Sequence, residues 1–264
     1  MIHLCLTPML ADGALQFAFQ KATTEGKITI LVLFFLSMFS WTIIITKFRQ
    51  LHLARKWGRR FFDAYAATRD PLDIQRKGDK FPGAPAYQLY IRGADELDYH
   101  LKKNPVVVND GPRISTASFE AVKVALEEAA GASAMSLEKG MIVLSTAVAG
   151  GPFIGLLGTV WGVMETFAGI ARVNSASLTA MAPGVAGALI ATVTGLLVAI
   201  PAMFAYNFMV TTIRGITQEL DGFATRYATQ IEHVYVDNRD LEDKIAGAIQ
   251  RAEQNRKSRE LVAS

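Results

Sequence analysis

Two threonines in long apolar segments are the first side chains in this sequence that could do chemistry. Thr159 and Thr192 each carry a hydroxyl at similar depth in a segment with almost no charge. A hydroxyl both donates and accepts a hydrogen bond, so it can pass a proton along a chain of such bonds. It can equally bond to a carbonyl of its own helix, which is the usual role of threonine in a membrane helix. From the residues alone, the packing role is the stronger interpretation.

Small residues and prolines accompany these threonines at helical spacing. Around Thr192, every third or fourth position is glycine or alanine, a pattern that lets two helices approach closely. Each proline removes a backbone donor and frees the carbonyl four positions earlier, which allows a bend. Six residues are therefore assigned to helix kinking or packing: Pro152, Pro183, Pro201, Ala188, Gly195 and Ala199.

Glu165 is the only acidic residue between Gly140 and Ile213. An ionised carboxylate in hydrocarbon is costly, so such a residue normally faces protein or water and is a functional candidate. Six residues separate it from Arg172, about 9 Å along a helix. This spacing suggests a place near the lipid–water interface on the outer side of the membrane. Helical geometry also puts it about 120° around the helix from Thr159. Interfacial contact and proton relay both stay open, with contact slightly favoured.

The sequence holds no pattern of a metal, nucleotide or catalytic site. Its four histidines, at positions 3, 52, 100 and 233, lack paired helical spacing, and the single Cys5 excludes a disulfide framework and a cysteine zinc site. Neither a glycine-rich nucleotide loop nor a nucleophile motif occurs. The net charge of +3 comes without a run of five basic residues, which argues against nucleic-acid binding. We predict no cofactor, no metal and no enzymatic activity.

The distribution of charge shows which elements must position these residues. At the chain average of 19% charged, the 74 residues 140–213 would carry about 14 charges, yet they carry two. This excludes a wholly soluble protein. A further stretch of 19 uncharged residues, 28–46, would reach about 28 Å as a helix, close to the thickness of a hydrocarbon core. We predict three transmembrane helices, at 28–46, 140–171 and 183–213, the last two forming a hairpin.

The positions of Lys and Arg predict the orientation of these helices. Six basic residues fall between positions 47 and 60, directly after the first span, whereas the loop after the second span has only Arg172. Because positive residues stay on the cytoplasmic side, the N-terminus is predicted outside and the C-terminus inside. The parts outside the membrane are then a periplasmic segment 1–27, a cytoplasmic helical domain 47–139, a periplasmic loop 172–182 and a cytoplasmic C-terminal helix 214–264.

Periodicity outside the spans indicates further helices. The first helix continues past the membrane until residues 70–85, where proline and glycine break it. A short helix is predicted at 86–102 and a loop at 104–112. From Ser115 a helix is expected to run into the second span without interruption.

After the third span, apolar residues recur at steps of three and four. They form a near-heptad seam, consisting of Ile213, Ile216, Leu220, Phe223, Tyr227, Ile231 and Val234. The seam predicts that the third helix extends into the cytoplasm and packs on copies of itself or on the 115–139 helix. A monomeric antiparallel bundle explains the periodicity equally well. The predicted fold class is an all-α integral membrane protein whose long second and third helices extend into the cytoplasm as a bundle.

The hairpin also carries an ordered string of short motifs. They are GPFIGLLGTVWGVM at 151–164, APGVA at 182–186, ALIAT at 188–192, GL at 195–196, AIPA at 199–202 and YN at 206–207. This string closely resembles the MotA/TolQ/ExbB channel family, with ExbB as the nearest type and TolQ next. The resemblance covers residues 143–208, about a quarter of the chain.

The resemblance implies an inner-membrane proton channel driven by the proton-motive force. Family members form a ring, a pentamer in the ExbB type, around an ExbD- or TolR-type partner with one span and a membrane Asp. A TonB-like protein is the further partner that the ExbB type implies. The resemblance also places Thr159 and Thr192 on the ion path, which reverses the packing interpretation given to them above.

One position departs from the family pattern. Gly187 stands where ExbB and TolQ usually have a glutamate, and Glu165 could be a relocated carboxylate. The leading hypothesis is an ExbB-like subunit that powers TonB-dependent transport. A TolQ-like envelope or gliding-type motor subunit is the alternative within the family. A non-conducting membrane scaffold is the alternative outside it, and the missing glutamate keeps this alternative open.

Overall fold

The computed structural model describes residues 24–108, 111–173 and 178–236, together with 246, 249 and 250. The predicted periplasmic segment up to residue 23, loop residues 174–177 and most of the predicted C-terminal helix beyond 236 lie outside the described residues. Six helices and two short strands follow in chain order within the described part: α1 Thr24–Ala66, α2 Asp73–Lys77, α3 Pro85–Lys103, β1 Val106–Val108, β2 Gly111–Arg113, α4 Thr116–Glu138, α5 Met141–Val173 and α6 Leu178–Tyr235.

Three helical stretches are long and apolar enough to cross a membrane. They are Thr24–Ala66, Thr116–Arg172 and Gly184–Tyr235. The first two contain the predicted spans 28–46 and 140–171, and the third covers the predicted span 183–213 except for residue 183. The prediction of three membrane-spanning helices is therefore confirmed by length and composition. The extension of the third helix is also confirmed, because α6 continues without a break to Tyr235.

The prediction that the helix from Ser115 runs unbroken into the second span is wrong. Helix α4 ends at Glu138 and α5 begins at Met141. Between them Gly140 has φ +88°, a left-handed backbone that glycine adopts readily and that ends a helix. A glycine inside a helical pattern is compatible with a helix, so the sequence alone did not reveal this break.

Two other segments are more ordered than expected. The predicted loop 104–112 contains the first strand of a small antiparallel hairpin, with Val106 opposite Arg113 and Val108 opposite Gly111. A run of three valines favours a strand because branched side chains pack well on a pleated surface. The predicted break 70–85 contains α2, which ends where Gly78 takes φ +72°.

The chain divides into two compact units. The first comprises Met1–Leu51 with Glu138–Ile213, and the second comprises His52–Leu137 with Arg214–Ser264. In the first unit, α1 buries a narrow stripe at seven-residue spacing, formed by Gly26, Leu33, Ser40 and Lys47, and also Leu51. Its other faces expose large apolar side chains, among them Phe34, Phe39 and Trp41. Such an exposed apolar surface is what a helix in contact with lipid requires.

Aromatic side chains form the core of the second unit. Phe61 of α1 and Phe223 of α6 meet with ring centroids 5.3 Å apart, and Tyr90 of α3 lies 5.1 Å from Tyr227. The near-heptad seam is used here, because Ile216, Leu220, Phe223, Tyr227 and Ile231 are all buried within one chain. Packing of α6 on copies of itself stays a prediction. Val234, the last residue of the predicted seam, remains 40% exposed.

A polar cluster in the second unit holds the segment after α1 against the end of α6. Asp70 accepts hydrogen bonds from the Tyr235 hydroxyl at 2.8 Å, the Arg76 guanidinium at 2.5 Å and the Leu72 backbone N–H at 2.9 Å. Burial disfavours the charged carboxylate, but these bonds outweigh burial and hold the pKa of Asp70 below its ordinary value of 3.8. The ionised form of Asp70 therefore stabilises the folded unit.

We expect Asp70→Asn to lower the free energy of unfolding by about 1–3 kcal/mol at neutral pH. The lowered folded-state pKa means that Asp70 stabilises the protein above pH 3.8 and that this stabilisation is lost as the pH falls through the folded-state value. The midpoint of thermal unfolding in mild detergent should therefore fall more steeply with acidification in the unmodified protein than in Asp70→Asn. Asp79→Asn, at an exposed carboxylate, is the matched control. Equal acid sensitivity of all three proteins would contradict the prediction.

Candidate functional site

The α5 and α6 helices of the first unit pack against each other along their small residues. Gly151 of α5 lies against Ala199 of α6, and Gly162 lies against Ala188. Residue numbers that increase along α5 thus face residue numbers that decrease along α6, so the two helices are antiparallel. Gly195, Ala188 and Ala199, which the sequence assigned to packing, all lie at this contact and are buried.

The two backbones approach too closely for larger side chains. A methyl group on Gly155 would lie 2.8 Å from the carbonyl oxygen of Ala191 and 3.0 Å from the Cα of Thr192. A methyl group on Gly195 would lie 2.5 Å from the carbonyl oxygen of Gly151. Real Cβ atoms do not come this close to backbone atoms, so glycine is required at both positions for this helix separation.

The three prolines lie on α5 and α6, as does Gly187, the position where a glutamate was expected from the resemblance. Both α5 and α6 remain helical through Pro152 and Pro201, and these two side chains are half-buried. Pro183 lies in the second turn of α6, and its side chain is outside the described ones. Gly187 is buried one residue before Ala188, in the packed part of α6.

This close packing brings Thr159 and Thr192 together. Their hydroxyls hydrogen-bond to each other across the helix pair. The Thr159 Oγ1 also lies 3.2 Å from the carbonyl oxygen of Gly155 and 3.3 Å from that of Ala188. The Thr192 Oγ1 lies 3.3 Å from the same Gly155 carbonyl. The two threonines that the sequence singled out therefore form one hydrogen-bonded cluster that spans both helices.

The cluster offers more acceptors than it has protons. Each hydroxyl has one proton to donate, and the acceptors within reach are the other hydroxyl and the carbonyls of Gly155 and Ala188. Each hydroxyl therefore has more than one acceptor available, and a rotation of one hydroxyl changes the bonds open to the other. A cluster with this freedom can accept a proton at one hydroxyl and release one at the other without holding a stable charge.

Other threonines of the hairpin behave differently. The Thr194 hydroxyl donates to the carbonyl of Ile190 at 2.8 Å, and the Thr166 hydroxyl donates to that of Gly162 at 2.8 Å. Each of these bonds stays within one helix, which is the ordinary role of threonine in a membrane helix. Thr194 is half-buried, like Thr192 two residues earlier. Thr159 and Thr192 differ from these threonines because their hydroxyls bond to each other across the two helices.

Sequence analysis missed the backbone acceptors of this cluster. The carbonyls of Gly155 and Ala188 take part through the close approach of the helices, and every residue type carries a carbonyl. The only signal available beforehand was the small side chain at each position, which lets the neighbouring helix reach the backbone. Among the described residues, no group of three or more His, Cys, Asp or Glu side chains is arranged to hold a metal ion.

Glu165 does not join the hydroxyl cluster. A methyl group on Gly158, which lies seven residues earlier on the same face of α5, would contact Thr29 of α1 at 3.0 Å and Ala191 at 2.7 Å. Helical geometry therefore puts Glu165 on the Gly158 face of α5, about 120° around the helix from Thr159. Its side chain is half-buried, and it forms no hydrogen bond or ion pair with the residues that the structure describes.

Because of this placement, we expect Glu165→Gln to leave proton flux close to that of the unmodified protein. Glutamine keeps the size and the hydrogen-bonding capacity of the side chain and removes its charge. Flux measured in proteoliposomes that contain the partner protein is the readout. A loss of flux in Glu165→Gln, with the oligomer intact, would instead make Glu165 the relocated carboxylate.

Comparison with known proteins gives consistent matches. The sequence profile of the MotA/TolQ/ExbB proton channel family matches residues 97–222. The Tol-Pal system protein TolQ of Haemophilus influenzae is 33% identical over 216 residues, covering 80% of this chain and 90% of the relative. The biopolymer transport protein ExbB of Xanthomonas campestris is 34% identical over 202 residues, covering 70% of this chain and 78% of the relative. The ExbB of Salmonella typhimurium is 30% identical over 199 residues, covering 75% and 78%.

Proposed function

The chain belongs to the MotA/TolQ/ExbB proton channel family, whose ExbB and TolQ members are inner-membrane proteins, and on this basis we propose that it forms the channel of a complex driven by the proton-motive force. The observation that carries the proposal is the hydrogen-bonded pair of Thr159 and Thr192, which joins α5 and α6 inside an apolar hairpin. A hydroxyl pair at this depth can serve proton transfer without the cost of a buried charge.

The mechanism needs few groups on this subunit. Members of the family work with partner proteins of the ExbD or TolR type, and the proposed partner here is a one-span protein with a membrane Asp. A protonated Asp is neutral and passes cheaply along the wall of small residues, whereas an ionised Asp is costly in the same surroundings. Thr159 and Thr192, with water, provide hydrogen bonds along the path. Cycling between the two states of the Asp can turn the partner helices against the channel.

The proposed assembly is a ring of copies, a pentamer by analogy with the ExbB type, around the partner helices. We place the N-terminus outside and residues 47–139 and 214–264 in the cytoplasm, since the basic residues after the first span favour that orientation. The large apolar side chains that α5 and α6 expose, such as Phe153, Leu157, Leu197 and Phe204, supply the surfaces that a ring must cover with lipid, partner or neighbouring copies.

The proposal also names the cellular process that the complex powers. We propose ExbB-like work, the powering of TonB-dependent transport with a TonB-like protein as the further partner. The relatives carry both names, so TolQ-like work in the cell envelope is the second candidate, supported by the 33% identity to a Tol-Pal system protein over 90% of its length.

Purification and reconstitution test this proposal. The tagged protein is purified from its native membranes in mild detergent, its native mass is measured, and the proteins that accompany it are identified. The complex is then placed in proteoliposomes with a pH gradient. We expect a ring, a one-span partner with a membrane Asp, and proton flux that requires this partner. A TonB-like companion would assign the ExbB-like process. A ring that carries no flux with its partner present would overturn the channel in favour of a non-conducting scaffold.

A further inference from the structure

A basic pocket lies on the second unit, between α1, the start of α3 and α6. It has a volume of about 440 Å³, and Arg55, Arg59, Arg226 and Glu219 line it. Apolar side chains such as Phe62 complete the lining. The four charged residues leave a net charge of +2. We use the name basic pocket for this site below.

Within the described part of the chain, the three arginines of the basic pocket have no acidic partner. Arg55 and Arg59 are four residues apart on α1, so both guanidinium groups project from one face of the helix. Among the residues that the structure describes, neither they nor Arg226 form an ion pair. Because apolar side chains lie beside the charges, the pocket suits a surface that combines carboxylates with apolar groups better than it suits a small free anion.

A surface of this composition lies on α4 of the same chain. Glutamate and exposed apolar residues recur there on one helical face, which we name the acidic face, formed by Glu120, Val124, Glu127, Glu128 and Met135. Val124 is 61% exposed and Met135 is 69% exposed. Glu120 is paired with Lys123 at 3.0 Å, whereas Glu127 and Glu128 form no ion pair in the described part of the chain. The opposite face of α4 is buried.

Arg226 of the basic pocket and Glu127 of the acidic face lie at the same level along the helices of the second unit. Gly93 of α3 packs against both Leu126 of α4 and Tyr227 of α6. The neighbours of those two residues in sequence are Glu127 and Arg226. Copies related by rotation about an axis that runs along the helices keep equal heights, so the acidic face of one copy can meet the basic pocket of the next.

We propose that the basic pocket binds the acidic face of α4 from a second copy of this chain, an inference that rests on the proposed ring. The contact joins two different surfaces, so its repetition either closes into a ring or extends into a filament. Each contact brings Arg55, Arg59 and Arg226 towards Glu127 and Glu128, and covers the exposed Val124 or Met135. The contact fixes which surfaces of neighbouring subunits face each other outside the membrane.

Cysteine cross-linking tests the geometry of this contact. Arg59→Cys and Glu127→Cys are combined in the full chain with Cys5→Ser, and membrane vesicles that also hold the partner protein are treated with a short thiol cross-linker. Because every copy carries both cysteines, the contact predicts a ladder of cross-linked species up to the full ring. Each single cysteine, and the pair Arg59→Cys with Tyr99→Cys, are the controls and should give no ladder. Absence of a ladder from the Arg59 and Glu127 pair would overturn the proposal.

Charge reversal tests its chemistry. We expect Arg55→Glu with Arg59→Glu, and separately Glu127→Arg with Glu128→Arg, each to reduce the oligomeric fraction in native mass measurements by about tenfold or more, because like charges then face each other. All four changes in one chain should restore the oligomer. If only the arginine reversals weaken it, the pocket binds another partner or an anionic lipid, and the proposal is overturned. Proton flux in the same preparations distinguishes the two proposals. Flux without a ladder of cross-linked species would contradict the contact between copies and would not contradict the channel.

Discussion

Thr192→Val is expected to abolish partner-dependent proton flux while the complex still assembles. Valine has nearly the shape of threonine and removes the hydroxyl, so the close packing of α5 on α6 survives. The hydrogen bonds from Thr192 to the Thr159 hydroxyl and to the Gly155 carbonyl are lost, whereas the contact of Thr159 with the Ala188 carbonyl can remain. Flux in proteoliposomes should fall to the level of liposomes without the complex, and the native mass of the complex should stay unchanged.

Two variants control for the loss of the Thr192 hydroxyl. Thr192→Ser keeps the hydroxyl and should retain flux. Thr194→Val removes a hydroxyl two residues away, one that bonds only to the carbonyl of Ile190 in its own helix, and should also retain flux. Normal flux in Thr192→Val would return Thr192 to a packing role. Loss of flux in all three variants would show that α6 tolerates no change near Thr192. That result would contradict a specific role of the Thr192 hydroxyl.

Gly195→Ala is expected to destabilise the hairpin and to reduce flux together. The added methyl group would lie 2.5 Å from the carbonyl oxygen of Gly151, which belongs to a backbone and cannot rotate away. The helices must separate, at a cost of about 1–3 kcal/mol in the free energy of unfolding. Separation also stretches the bond between Thr159 and Thr192. Thermal unfolding in detergent and flux in proteoliposomes measure the two effects.

Gly150→Ala is the matched control for this substitution. Gly150 is also in the hairpin, but a methyl group there would meet no atom within 4 Å. Alanine favours a helix over glycine by up to about 1 kcal/mol, so this variant should be as stable as the unmodified protein or more stable. If Gly195→Ala and Gly150→Ala behave alike, the close approach of α5 and α6 does not determine stability.

The sequence was informative about features that depend on a single helix. The scarcity of charge between residues 140 and 213 predicted the membrane hairpin, and the angle between Thr159 and Glu165 followed from helical geometry. In the structure the hydroxyls of Thr159 and Thr192 bond to each other and to backbone carbonyls and not to Glu165, whose role stays a prediction.

The sequence was less informative where two distant segments meet. The bond between Thr159 and Thr192 depends on the register of α5 against α6, which small residues permit at several offsets. The contact between Asp70 and Tyr235 joins residues 165 positions apart, so periodicity carries no sign of it. The break at Gly140 depends on a backbone angle that glycine can adopt but does not have to.

The narrow buried stripe of α1 has a consequence for how the protein is made. The ribosome completes α1 long before α5 and α6, and even in the finished fold its most apolar window is only 17% buried by other residues. Its entry into the bilayer must therefore be driven by partition of its own side chains, with little help from neighbours. Substitutions such as Phe34→Leu, at a side chain that is 57% exposed within the chain, should be tolerated during biogenesis, whereas a charged residue there would obstruct insertion itself.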